Sequence, residues 1–176
     1  KAISNGKLVA VRSNLSEADD AIFHELLSGQ VLTPSKTVDE QTHLCIVPSL
    51  GSGQNKSVAS VRTLKVMMSA LQGIPLVSPD WLSSCYLQKK IVTPDKFLRT
   101  IPTKNAVIKS SGDALCGVSR LAVAKSNQDN LLFENMFVCL CGSYKGETKT
   151  SLENLLETGG AKILATSDEV EAKMQE

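Results

Sequence analysis

The chain has 176 residues, of which 42% are hydrophobic, enough apolar side chains for the core of one medium domain or two small ones. With 19 Lys+Arg against 18 Asp+Glu, no overall field exists to hold DNA or an acidic membrane surface non-specifically, so any anion site must be local. No apolar run approaches the roughly 20 residues that cross a bilayer, and the opening KAISNGKLVAV lacks the apolar centre of a signal peptide, so the expectation is a soluble intracellular protein.

Lys7 to Val11 is a short apolar run ending at Arg12-Ser13-Asn14, which predicts a strand entering a turn. A helix follows, with Ser16 as N-cap, Asp19 and Asp20 in its first turn, and Ala21, Ile22, Leu26 and Leu27 at helical spacing before Gly29. Gln30 to Leu32 reads as a short strand, and Thr42 to Val47 as a buried one. Gly51 to Asn55 has the composition of a loop. Val61, Leu64, Met67, Met68 and Leu71 fall on one helical stripe closed by Gly73. Ile74 to Val77 predicts a strand, and Ser78-Pro79-Asp80 opens a helix carrying Trp81, Leu82, Cys85, Tyr86 and Leu87. Strands alternating with helices over these residues predict a small α/β domain built on a parallel sheet.

Residues 100–130 are rich in Ser, Asn, Lys and Gly and read as a linker. The opening pattern then returns: a strand from Met136 to Cys141, a turn at Gly142-Ser143, a helix from Lys149 to Glu157, Gly159-Gly160, and a strand from Ala161 to Ala165. A repeat of this length predicts two related domains in tandem. The second copy lacks a counterpart of Trp81, so it is expected to be incomplete in this chain, and a start at Lys1 in place of Met fits a piece of something longer.

Five cysteines (Cys45, Cys85, Cys116, Cys139 and Cys141) with no C-x-x-C pair suit reduced thiols better than a disulfide framework or a zinc site. Cys139 and Cys141 share one face of the predicted strand and could touch a metal together, but two ligands without partners make a poor site, and core packing is the expectation for both. No metal and no cofactor is expected.

Four segments of the first copy, Thr42-His43-Leu44, Arg62-Thr63-Leu64-Lys65, Gly73-Ile74-Pro75-Leu76-Val77-Ser78 and Trp81-Leu82-Ser83-Ser84-Cys85, together resemble the BRCT domain. Leu132-Phe133, the strand to Cys141 and Gly159-Gly160 extend the likeness, more loosely, to the second copy. The resemblance implies an α/β fold of two tandem BRCT-like domains, each a small parallel sheet flanked by helices: residues 6–99, a linker over 100–130, and the first part of a second domain over 131–176. Trp81 and Cys85 are expected to anchor the third helix by packing. Gly29 and Gly159-Gly160 are expected to let the chain leave a helix with positive φ.

The resemblance also implies a function. BRCT pairs that bind phosphoserine or phosphothreonine peptides use a hydroxyl at the end of the first strand, the backbone N–H of its neighbour, and a Thr and a Lys spaced T-x-K at the start of the second helix. Ser13, Asn14, Thr63 and Lys65 stand at those positions, with Asn14 where such members usually carry Gly. Hydroxyls, a main-chain amide and an ammonium beside a helix N-terminus are what a phosphate dianion requires. By the same resemblance Arg62 points toward the peptide main chain or its C-terminal carboxylate, and Met67 lines an apolar peptide groove, although its stripe fits a core position equally well.

The implied function is that of a phosphopeptide-binding scaffold in nuclear DNA-damage signalling, whose partner is a phosphorylated protein or histone tail; no direct DNA or membrane binding is expected. The alternative is a BRCT module that binds a protein or DNA end independently of phosphorylation. An enzyme is not expected: G-x-S-x-G, a Walker-type G-x-x-x-x-G-K and G-x-G-x-x-G after a strand are all absent, and Gly51-Ser52-Gly53 lacks a strand-to-helix context.

Overall fold

Alternation along the first strand organises the layers around it in the computed structural model, which describes residues 8–29, 32–48, 63–99 and 131–175. In β1 (Leu8–Arg12), Leu8 and Ala10 face one side of the sheet and Val11 the other. The first side is covered by α1 (Glu17–Ser28) and α3 (Asp80–Gln88), whose Phe23, Leu26, Trp81, Leu82 and Cys85 enclose the larger core. On the second side, Val66 of α2 (Leu64–Leu71) packs on Val11, Cys45, Val47 and Leu76.

The remaining strands of this sheet are β2 (Leu32–Ser35), β3 (Leu44–Ile46), β4 (Leu76–Val77) and β5 (Leu98–Arg99). They run in the order β2-β1-β3-β4-β5. Leu8 pairs with Leu32, Ala10 with Leu44 and Cys45 with Leu76, all parallel, while β5 runs antiparallel to β4 with Val77 opposite Leu98. The predicted α/β class and helix-flanked sheet are thus present, but the sheet is mixed. The antiparallel edge follows a 3₁₀ turn at Asp95–Phe97, and Ser78 N–H donates to Phe97 O at 2.9 Å to draw the two strands together.

Trp81 is fully buried, and its Nε1–H donates to Val92 O at 2.9 Å, so its one polar atom is satisfied inside the core. Cys85 lies one turn further on the same face and is equally buried. Both packing expectations hold. Ser16 caps α1 by accepting from Asp19 N–H at 3.2 Å, as the sequence predicts.

The chain divides into two units, Lys1–Val123 and Ala124–Glu176. In the second, β6 (Phe137–Val138) pairs in parallel with β7 (Lys162–Ile163), joined by α4 (Lys149–Thr158), and α5 (Ser167–Met174) follows. The predicted order strand, turn, helix, glycines, strand therefore recurs, with shorter strands than the sequence suggests.

Two of the three glycines expected at positive φ do not adopt it. Gly29 has φ −73° and Gly159 φ −85°, both ordinary for any residue. Only Gly160, at φ +97°, uses the left-handed freedom. Gly159 is required for space instead: a Cβ there would lie 2.3 Å from Cδ2 of Phe133, whose own N–H donates to Gly159 O at 2.7 Å. The predicted linker at 100–130 and the loop at 51–55 lie outside the described residues.

Candidate functional site

The sheet order sets a switch point in the winding at one end of β1. The chain leaves β1 for β2 on one side, then crosses to β3 on the other, so β1 and β3 flank the point where the winding reverses. In open α/β sheets the crevice beyond the carboxyl ends of the strands at such a point is where ligands bind. Ser13 follows the carboxyl end of β1, and Thr63 precedes α2, the helix that comes after β3.

Ser13 is held there by its own N–H, which donates to Ile46 O at 3.0 Å. Alternation puts its side chain on the α2 face, where it is only 4% exposed. Ser13 Oγ and Thr63 Oγ1 share a hydrogen bond of 2.5 Å. Thr63 has extended dihedrals, φ −74° and ψ 164°, and its Oγ1 accepts from Val66 N–H at 3.4 Å, making it the N-cap of α2. Lys65, in the first turn, donates from Nζ to Arg12 O at 3.3 Å. No acidic residue occupies that first turn, so the positive end of the helix dipole and the ammonium act on the same point.

Asn14 turns the chain away from the sheet at φ +56°, a left-handed conformation that Asn tolerates better than other non-glycine residues. Among the described residues its N–H has no hydrogen-bond partner. Ser13–Asn14 and Thr63–Lys65, two segments remote in sequence, are therefore joined by the Ser13–Thr63 and Lys65–Arg12 hydrogen bonds. They assemble hydroxyls, a main-chain N–H and an ammonium, a donor-rich set suited to an oxyanion.

Arg12 contributes only its carbonyl to this face, not its side chain. Its guanidinium lies on the α1 side in an ion pair with Asp20 and 5.3 Å from the centroid of the Phe23 ring. Sequence reasoning passed over this pairing, although Asp20 in the first turn of α1 was its visible signal. Met67 is half-buried and belongs to neither core cluster among the described residues. Arg62 lies outside the described residues.

Cys45, fully buried on the α2 face, has its thiol pushed up to about 11 by burial, with Ser69 and Lys65 acting in the opposite direction. It is a core side chain. Cys139 and Cys141 depart from the core packing expected of them. β6 ends at Val138 and the chain bends at Gly142, φ +91°, which leaves Cys139 half-buried and Cys141 exposed, their sulfurs 3.6 Å apart. Among the described residues no group of three or more His, Cys, Asp or Glu side chains could hold a metal ion. A cavity of about 390 Å³, lined in part by Leu8, His43, Ile74, Pro75 and Trp81, opens at the other end of the sheet, beside the amino ends of β1, β3 and β4.

No family model matches the chain. Among solved structures, the BRCT5-BRCT6 pair of S. pombe Brc1 superposes with a TM-score of 0.63 at 14% identity, covering 96% of this chain and 72% of that one. The chain has the BRCT fold. Its sequence is 26% identical over 167 residues to the Arabidopsis thaliana BRCA1-associated RING domain protein 1, a match that covers 95% of this chain and 22% of that protein's length. The Rad4 BRCT1,2 pair crystallised with a Crb2 phosphopeptide is more distant, with a TM-score of 0.39 and 13% identity over 90% of this chain and 68% of that one, and adds nothing to the BRCT fold assignment.

Proposed function

We propose that the first unit binds a phosphoserine or phosphothreonine peptide through Ser13, the Asn14 N–H, Thr63 and Lys65, and that the chain acts by binding rather than turnover. The convergence of these four groups at the carboxyl end of β1, with the buried Ser13 hydroxyl bonded to that of Thr63 and an ammonium at a helix N-terminus, carries the reading. A dianionic phosphate replaces the mutual Ser13–Thr63 hydrogen bond with a bond from each hydroxyl, and exchanges the neutral Arg12 carbonyl for a charged partner at Lys65. Nothing has to be unfolded to admit it.

In this reading residues 6–99 form one BRCT-like domain and 131–176 the first part of another, joined by 100–130. Arg62 and Met67 contact the peptide beyond the phosphate. The likeness to a BRCA1-associated protein supports a place in nuclear DNA-damage signalling, with a phosphorylated repair protein or histone tail as the ligand.

The test is fluorescence polarisation against an oriented phosphopeptide library that includes free C-termini. Selected peptides bind, their unphosphorylated forms do not, and Lys65→Met weakens binding by roughly 10-fold or more, the loss of one charge-assisted hydrogen bond. Binding that is equal with and without phosphate, and unchanged in Lys65→Met, establishes the phosphorylation-independent alternative and removes this one.

A further inference from the structure

The second unit contains a pair of thiols that the phosphate reading does not use. Cys139 and Cys141 follow β6, with Sγ atoms 3.6 Å apart, in van der Waals contact and within weak hydrogen-bonding range. Cys141 is exposed and Cys139 half-buried, so both differ from the fully buried Cys45 and Cys85 of the first unit, which are inert by burial.

We propose that Cys139 and Cys141 are a modification site, a dithiol that a hydroperoxide converts to an intramolecular disulfide. Cys141, the more exposed sulfur, attacks the peroxide as its thiolate. The O–O bond breaks, water or an alcohol leaves, and Cys141 becomes a sulfenic acid. Cys139 then attacks that sulfur, the S–S bond forms, and the hydroxyl leaves as water with the second thiol's proton. The two cysteines lose two electrons and the peroxide gains them.

Local backbone geometry favours closure. Residues two apart in a flat strand have Cα atoms about 6.6 Å apart, near the upper limit of the disulfide range. Here the strand pairing stops at Val138, before either cysteine, and the chain turns at Gly142 with φ +91°. Tyr144 OH donates to Cys141 O at 3.0 Å and braces the turn that follows Cys141. The hydrogen bond between the sulfurs raises the Cys139 thiol above its ordinary value, helped by desolvation and by Glu169. Lys149 acts in the opposite direction on Cys139. A ring closed between neighbours two residues apart is strained, and strained exposed disulfides are the easily reduced ones, so the bond should be reversible by a dithiol reductant.

The experiment is hydrogen peroxide treatment of the native chain at neutral pH, followed by iodoacetamide, proteolysis and mass spectrometry. The peptide spanning both cysteines should appear two hydrogens lighter and unalkylated, and should regain two alkyl groups when reduced before alkylation. Cys141→Ser should leave Cys139 alkylated after the same exposure, and Cys139→Ser should halt at a sulfenic acid on Cys141, trapped by dimedone. Since either variant could perturb the unit, the wild-type mass shift decides alone. Two alkylated thiols after peroxide, or loss only to intermolecular dimers on a non-reducing gel, would overturn the proposal.

Discussion

Thr63 serves two partners at once, so removing its hydroxyl should cost more than an ordinary cap. Its Oγ1 accepts from Val66 N–H and shares a hydrogen bond with the buried Ser13 Oγ. Losing an N-cap hydroxyl costs about 1 kcal/mol. Leaving the 4%-exposed Ser13 hydroxyl without its partner costs a further 1–2 kcal/mol or so. Thr63→Ala should therefore destabilise the first unit by roughly 2–3 kcal/mol, while Thr63→Ser, which keeps the oxygen, should cost under about 0.5 kcal/mol. The readout is built in, since the chain's one tryptophan, Trp81, is fully buried in this unit and its fluorescence follows unfolding there. At a urea slope of about 1–1.5 kcal/mol per molar, the Thr63→Ala midpoint falls by roughly 2 M. A double-mutant cycle with Ser13→Ala isolates the shared bond, with an expected coupling of about 1 kcal/mol. If the two single losses simply add, the hydroxyls are not bonded and the preorganisation argued for the site fails.

Trp81→Phe keeps an aromatic ring but strands the Val92 carbonyl, and should lower stability by about 1–3 kcal/mol on calorimetry; a neutral result would mean that water replaces the indole. The Cys45 thiol gives an alkaline signature. In the unfolded chain it ionises near its ordinary value of 9.0, in the folded protein only near 11, so its contribution is intact below pH 9 and lost as pH rises to 11. Cys45→Ala should show a shallower loss of urea midpoint between pH 8.5 and 10.5 than the native chain, whatever its stability at neutral pH. Asp80→Asn weakens the ion pair with the buried Arg99 guanidinium, 3.7 Å away, but Asp80 is exposed, so the loss should be no more than about 1 kcal/mol by thermal unfolding, and smaller in high salt. Phosphopeptide affinity should fall as pH drops below about 6, where the phosphate loses its second charge, and a flat profile from pH 5 to 8 would count against recognition of a dianion.

The sequence discloses the parts of this molecule that depend on local chemistry. Ser16 and Thr63 are capping residues by type and position, and Trp81 has no partner of comparable size, so caps and core anchor are legible in the residue types alone. β5 and the 3₁₀ turn before it escape because Leu98–Arg99 is too short to show a period and owes its strand to pairing with β4. Cys139 and Cys141 mislead because period two is assumed to persist, whereas pairing ends at Val138. Gly159 misleads for a related reason: its need is for room beside Phe133, a contact between residues far apart in sequence.

The position of the proposed phosphate site is itself a consequence of winding order. Had the chain gone from β1 to β2 and onward in one direction, the helix after β3 would not open beside the end of β1, and Thr63 and Lys65 would have no Ser13 to meet. Because the sheet reverses there, a serine just ahead of α1's cap Ser16 and a threonine 50 residues further along the chain share one hydrogen bond. The cavity of about 390 Å³ lies at the amino ends of the strands, where no helix N-terminus of the βα type points, and its lining includes Leu8, Leu44 and Trp81 of the larger core. Volume favours that cavity as a binding site, whereas the direction of the strands, the dipole of α2 and the Asn14 amide all favour the opposite end. For a ligand carrying two negative charges, the second set of considerations decides, because charge-assisted hydrogen bonds are about twice as strong as neutral ones and the described lining of the cavity contains neither lysine nor arginine.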